Sequence, residues 1–95
     1  MATLVFQRTD RDWQVLVSGS VWVTTTDAEL AGLCAASLHV RLLKEKRVSA
    51  DEDVALGAGV TEEELRLGYV QLERLELFER RASQRRNAAP ADLNE

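Results

Sequence analysis

Val60-Thr61-Glu62-Glu63-Glu64-Leu65-Arg66-Leu67-Gly68-Tyr69-Val70-Gln71-Leu72-Glu73-Arg74-Leu75-Glu76-Leu77-Phe78-Glu79-Arg80-Arg81 is the stretch on which the fold of this chain turns. Thr61 and Glu64 are spaced as a capping box. The Thr61 hydroxyl can accept from the Glu64 N–H while the Glu64 carboxylate reaches back to the Thr61 N–H, which satisfies two donors that a helix start leaves orphaned. Leu65, Tyr69, Leu72 and Leu75 then recur at helical spacing, share one face and point it at a core. Glu63, Leu67, Val70, Gln71 and Arg74 fall on the opposite side.

Just upstream, Ser49 and Glu52 have the same capping spacing, which predicts a short helix over Ala50–Leu56 that ends in Gly57-Ala58-Gly59. With these residues included, the second half of the chain resembles the winged helix-turn-helix of GntR-like bacterial regulators. Ala55 matches the small residue packed between the two helices, Gly59 the turn glycine, and Val60 the apolar residue after it. Leu65, Gly68, Tyr69 and Leu72 match the core of the recognition helix, and Leu77-Phe78 the wing strand. The resemblance implies a helix-turn-helix unit over residues 49–81 in a bacterial or phage transcriptional regulator that binds DNA. The sequence departs from that pattern at two points. Glu76 replaces the glycine between recognition helix and wing, so the helix either stops near Glu76 or runs on to about Arg86. Glu62, Glu63 and Glu64 occupy the turn that would face phosphates.

The first 26 residues read as strands. Thr3–Gln7 is a short apolar run, Thr9-Asp10-Arg11-Asp12 a turn built on aspartate acceptors, and Trp13, Val15 and Val17 alternate with Gln14, Leu16 and Ser18. Ser18-Gly19-Ser20 makes a second turn, and Val21–Thr25 is rich in β-branched residues. Such a meander needs a helix on one face to be stable. Thr26 and Glu29 form a further capping pair that opens a central helix over Asp27–Lys46, apolar nearly all round in its first half.

The expected architecture is therefore α+β: a small antiparallel three-stranded meander (residues 1–26) followed by a three-helix, winged helix-turn-helix-like bundle made of the central helix (27–47) and the helix-turn-helix-like unit (49–81). Residues 1–87 make one domain, and residues 88–95 a disordered tail.

Composition narrows the function. A chain of 95 residues holds one modest core and no room for a cleft plus a cofactor domain. It has no run of eighteen apolar residues and no apolar leader, so neither a membrane span nor a signal peptide is expected, and the location expected is the cytoplasm. Cys34 and His39 are the sole cysteine and histidine, so neither a disulfide nor a zinc cluster can be assembled within one chain. Cys34 reads as a small buried hydrophobe and His39 as a surface or helix-flank residue. Asp51-Glu52-Asp53 and Glu62-Glu63-Glu64 sit in first helical turns, where the dipole favours negative charge. No enzyme activity, metal, cofactor or small-molecule substrate is expected.

What remains is surface. The formal charge is −4, with net −6 over Asp27–Glu79 and four arginines, Arg80, Arg81, Arg85 and Arg86, close behind. On the outward side of the Glu62–Leu75 helix, only Gln71 and Arg74 are of the kind that read base edges. Leu67 and Val70 are suited to another protein, unless the N-terminal sheet covers them. The leading expectation is a non-enzymatic regulatory or adaptor protein that binds a protein partner or itself, as a homodimer, through Glu63, Leu67, Val70, Gln71 and Arg74. The alternative is a DNA-binding regulator that uses Gln71 and Arg74 for bases, with Arg80, Arg81, Arg85 and Arg86 for phosphates.

Overall fold

The computed structural model describes residues 1–93. Strands β1 (Leu4–Arg8), β2 (Trp13–Val17) and β3 (Ser20–Thr25) are followed by helix α1 (Ala28–Lys44), a two-residue strand β4 (Ala55–Leu56) and the long helix α2 (Glu62–Leu93). The sheet order is β3-β2-β1-β4, with β1, β2 and β3 antiparallel and β4 parallel to β1.

The turns follow from local chemistry. Thr9 N–H donates to the Asp12 carbonyl (2.8 Å), and the Thr9 hydroxyl donates to the Asp12 carboxylate (2.7 Å). Between β2 and β3, Ser18 and Gly19 both take positive φ (50° and 84°), the mirror-image turn whose twist matches that of a hairpin. The pairing of Val15 with Val23 but of Leu16 with Val21 leaves Trp22 as the extra residue of a bulge in β3.

One face of the sheet carries Leu4, Phe6, Val15 and Val17, all buried, and α1 lies on it with Ala31, Ala35 and Leu42. Val48 and Val54, from the connection after α1, close the same core. The small residues of α1 let it approach the sheet closely. Its cap is Asp27, whose carboxylate accepts from the N–H groups of Glu29 and Leu30, so the helix starts one residue later than the Thr26–Glu29 spacing predicts. It ends at Lys44, ahead of the expected Lys46. Lys46 takes φ 58°, and the Lys46 and Arg47 N–H groups turn back to the Leu43 and Leu42 carbonyls.

The expected three-stranded sheet with a three-helix bundle does not form. The sheet has four strands and is mixed, and there are two helices among the described residues. The segment taken for the first helix of a helix-turn-helix makes a turn at Ser49, where the Glu52 N–H donates to the Ser49 carbonyl (3.0 Å), and then becomes β4. The physical reason is the open edge of β1. A three-stranded meander leaves the β1 edge with unpaired N–H and C=O groups. Residues after Val54 satisfy them, with the Gly57 N–H donating to the Phe6 carbonyl (2.7 Å) and the Arg8 N–H to the Ala58 carbonyl (2.8 Å). Seven residues of helix could not offer as many bonds together with a buried Val54.

The third capping box does form. The Thr61 N–H donates to a Glu64 carboxylate oxygen and the Glu64 N–H to the Thr61 hydroxyl, both at 3.3 Å. From there α2 runs without a break through Glu76 and Phe78 to Leu93, so Leu77-Phe78 is helix rather than a wing strand. At about 1.5 Å per residue its 32 residues span about 48 Å, against about 26 Å for the 17 of α1. The two helices lie side by side with the same chain sense. Gly32 meets Glu64 and Gly68, Val40 and Leu72 line one cleft, and Lys44 lies near Glu79. The remainder of α2 extends past the end of α1, and the molecule measures 58 × 29 × 20 Å. The expected tail, residues 88–95, falls on residues whose side chains lie outside those described, as do Arg85 and Arg86.

Candidate functional site

Three contacts fix how α2 is presented. At its start the Glu64 carboxylate serves twice, with one oxygen in the capping box and the other accepting from the indole N–H of Trp13 on β2 (3.3 Å). One turn on, Gly68 is buried where the backbones of α1 and α2 come closest. A Cβ on Gly68 would run into the Gly32 carbonyl, and one on Gly32 would stand 2.8 Å from the Glu64 carbonyl oxygen.

The third contact is His39, which the sequence reading placed at the surface. It is 7% exposed and joins three parts of the chain. Its Nε2 lies 3.0 Å from the Glu52 carbonyl oxygen and its Nδ1 lies 2.6 Å from the Tyr69 hydroxyl. A carbonyl can only accept, so Nε2 carries the proton and Nδ1 accepts from the Tyr69 O–H. The rings meet edge to face, with centroids 6.0 Å apart. The lone histidine is thus a rivet between α1, the 49–54 turn and α2. Nothing in the local sequence signals this, because its partners lie 13 and 30 residues away.

Burial pushes the Tyr69 phenol above its usual pKa, and the nearby Asp53 carboxylate adds to the shift. A group raised in the folded state gives stability that is complete below its unfolded pKa and is lost as pH rises through the folded value. The rivet should therefore hold at neutral pH and weaken on the alkaline side, above about pH 10. Tyr69 is the only tyrosine, so ultraviolet absorbance across an alkaline titration reads this group alone. The midpoint is expected above that of a free tyrosine and should fall to it when urea unfolds the chain.

Around the rivet, His39, Leu43, Val54, Leu56, Leu65 and Tyr69 floor an open groove of about 660 Å³, with Asp53, Glu62 and Arg66 among its edges. Every polar atom of the rivet is already engaged, and no buried side-chain nitrogen or oxygen among the described residues lacks a partner. Among the described residues no three His, Cys, Asp or Glu side chains converge as metal ligands. Cys34 is half-buried and its thiol pKa is raised by burial, which disfavours the thiolate a nucleophile needs.

The outward side of α2 has a different character. Leu67 is 49% exposed, Leu77 50% and Phe78 71%, with Leu75 exposed as well. Val70 and Gln71 are half-buried and Arg74 is exposed. The N-terminal sheet does not cover Leu67, whose neighbours are Ala28 and Glu29 at the start of α1. Leu65, Tyr69 and Leu72 are half-buried as their spacing predicts, whereas Leu75 of the same set stands out in solvent. Glu63 and Arg66 pair along the helix surface, with Arg66 Nε donating at 2.9 Å, and this contact lowers the Glu63 pKa. Arg80 and Arg81 are exposed. Of the residues singled out from sequence, Glu63, Leu67, Val70, Gln71 and Arg74 thus lie along one stretch of helix. Phe78 and Leu77, taken above for a wing strand, extend it.

Among the described residues no helix is long and apolar enough to cross a membrane. Comparison with protein-family models, curated proteins and solved structures gave no match. The likeness to GntR-like regulators therefore rests on the residues of the second half alone.

Proposed function

We propose that this protein is non-enzymatic and works in the cytoplasm as a small regulatory or adaptor protein, by docking another protein chain against the outward side of α2. The observation that carries the reading is the exposure of Leu67, Leu75, Leu77 and Phe78 on a helix that outruns α1 beside it. Scattered apolar residues on a surface are ordinary, but several along one helix beside charged residues have the composition of a contact face. A single helix in water also gains little from intrinsic propensity, and most helical stability comes from packing an apolar face.

The test is the double substitution Leu67→Asp with Val70→Asp. Both side chains lie away from the rivet, and Leu67, which borders the cleft of Gly68, Ala28 and Glu29, is 49% exposed, so the circular dichroism spectrum should stay that of the folded chain. Self-association and retention of protein from the source cytoplasm should both be lost. A folded variant that keeps both would overturn the reading. Binding of duplex DNA through Gln71, Arg74, Arg80 and Arg81 is a second reading, which draws on the exposure of those arginines. Glu62, Glu63 and Glu64 oppose it by repelling phosphate, and mobility shift of the same two preparations with duplex DNA at low salt tells the readings apart.

A further inference from the structure

We propose that the occupant of this face is a second copy of the same chain, with the two α2 helices antiparallel and related by a two-fold axis at the level of Leu72. The inference rests on the protein-contact reading above and adds the partner and its orientation. Glu63, Leu67, Val70, Arg74, Leu77 and Arg81 follow one another at intervals of four, three, four, three and four residues. That alternation is the spacing of a two-stranded coiled-coil seam, with Leu67, Val70 and Leu77 as its apolar members, and it centres on the side of α2 away from Gly68 and Leu72, with Leu67 at its edge beside Ala28 and Glu29 of α1. Each of these residues is exposed or half-buried, and although Glu63 pairs with Arg66 on its own helix, the apolar members of the seam keep surface open to a partner.

The charges at the ends of the seam select both partner and direction. Glu63 opens it and Arg81 closes it. In an antiparallel pair centred at Leu72, Glu63 of one copy faces Arg81 of the other at both ends. Leu67 faces Leu77 twice, and each Val70 lies under the aliphatic stem of an Arg74, which keeps its guanidinium in water. A parallel pair would set Glu63 on Glu63 and Arg81 on Arg81, like charge on like. The seam is therefore complementary to itself only when reversed, which is the condition for a closed two-fold dimer. Phe78, 71% exposed, flanks the seam one residue after Leu77 and gains cover from the partner helix. The product packs α2 of one copy on α2 of the other, with nothing required of residues beyond Arg81.

The full chain should sediment and scatter light as a dimer at about 100 μM, an ordinary concentration for a modest interface. Orientation is read by crosslinking in a Cys34→Ser background. Glu63→Cys and Arg81→Cys chains are made separately and treated with a short bismaleimide, first alone and then mixed. The antiparallel dimer gives a crosslinked species only in the mixture. A crosslink within either single variant, or a chain that is monomeric throughout, would overturn the proposal. Glu63→Arg and Arg81→Glu should each weaken association about tenfold, and the two together in one chain should restore it. If the chain is monomeric but still retains a cytoplasmic protein in a manner that needs Leu67 and Val70, self-association fails while the protein-contact reading stands. If neither occurs, both fail.

Discussion

Gly68→Ala is expected to remove about 3 kcal/mol or more of folding stability, enough to leave a domain of this size largely unfolded in mild denaturant. Judged from helix propensity alone the sign would be the reverse, because alanine is favoured over glycine inside a helix by about 1 kcal/mol. The tertiary contact decides the outcome. The added Cβ would collide with the Gly32 carbonyl, which is main chain, and no rotamer change can move it. Relief requires α2 to lift away from α1, which would also pull Tyr69 from His39 and Glu64 from Trp13. Gly32→Ala should act in the same direction more mildly, since its Cβ would stand 2.8 Å from the Glu64 carbonyl oxygen. Urea unfolding followed by tryptophan fluorescence measures both, and an effect below about 1 kcal/mol for Gly68→Ala would contradict the close helix crossing.

His39→Ala is the second large effect, a loss of about 3 kcal/mol. Two costs combine: the cavity left by a ring that is almost wholly buried, and the stranding of the Tyr69 hydroxyl and the Glu52 carbonyl without partners. Tyr69→Phe keeps the ring packing and strands only Nδ1 of His39, so about 1–2 kcal/mol is expected. Because the two residues share one hydrogen bond, the double variant should lose less than the sum of the single losses. Additive losses in that cycle would mean that the bond contributes nothing to stability. His39→Ala should also loosen the 49–54 turn, seen as faster amide exchange at Gly57 and Arg8, whose N–H groups hold β4 to β1.

Neither residue could be picked out by local reading. Gly68 sits in a helical pattern where its spacing matches a family motif, but the need for glycine comes from Gly32, 36 positions earlier. His39 lies just beyond the apolar stretch Leu30–Ala36, with no neighbour in sequence that could use its ring nitrogens. The Ser49–Glu52 capping spacing was misleading for a related reason. A cap contributes on the order of 1 kcal/mol, and the unpaired edge of β1 offers several backbone hydrogen bonds and a core site for Val54 to the same residues.

What the sequence by itself determined are the features set by neighbours one to four residues apart. The alternation from Trp13 to Val17, the Ser18-Gly19 turn, the Asp27 region as a helix start and the reciprocal Thr61–Glu64 cap all depend on interactions that form before any distant segment arrives. The sidedness of α2 belongs with them only in part, since Leu65, Tyr69 and Leu72 are half-buried as spaced while Leu75 of the same face stands in solvent. Tertiary structure decided the partner of the β1 edge, the glycine crossing of α1 and α2 and the three-way bond at His39. In each case the deciding group lies many residues away, and its identity is fixed only once α1 has packed on the sheet and brought that group within reach.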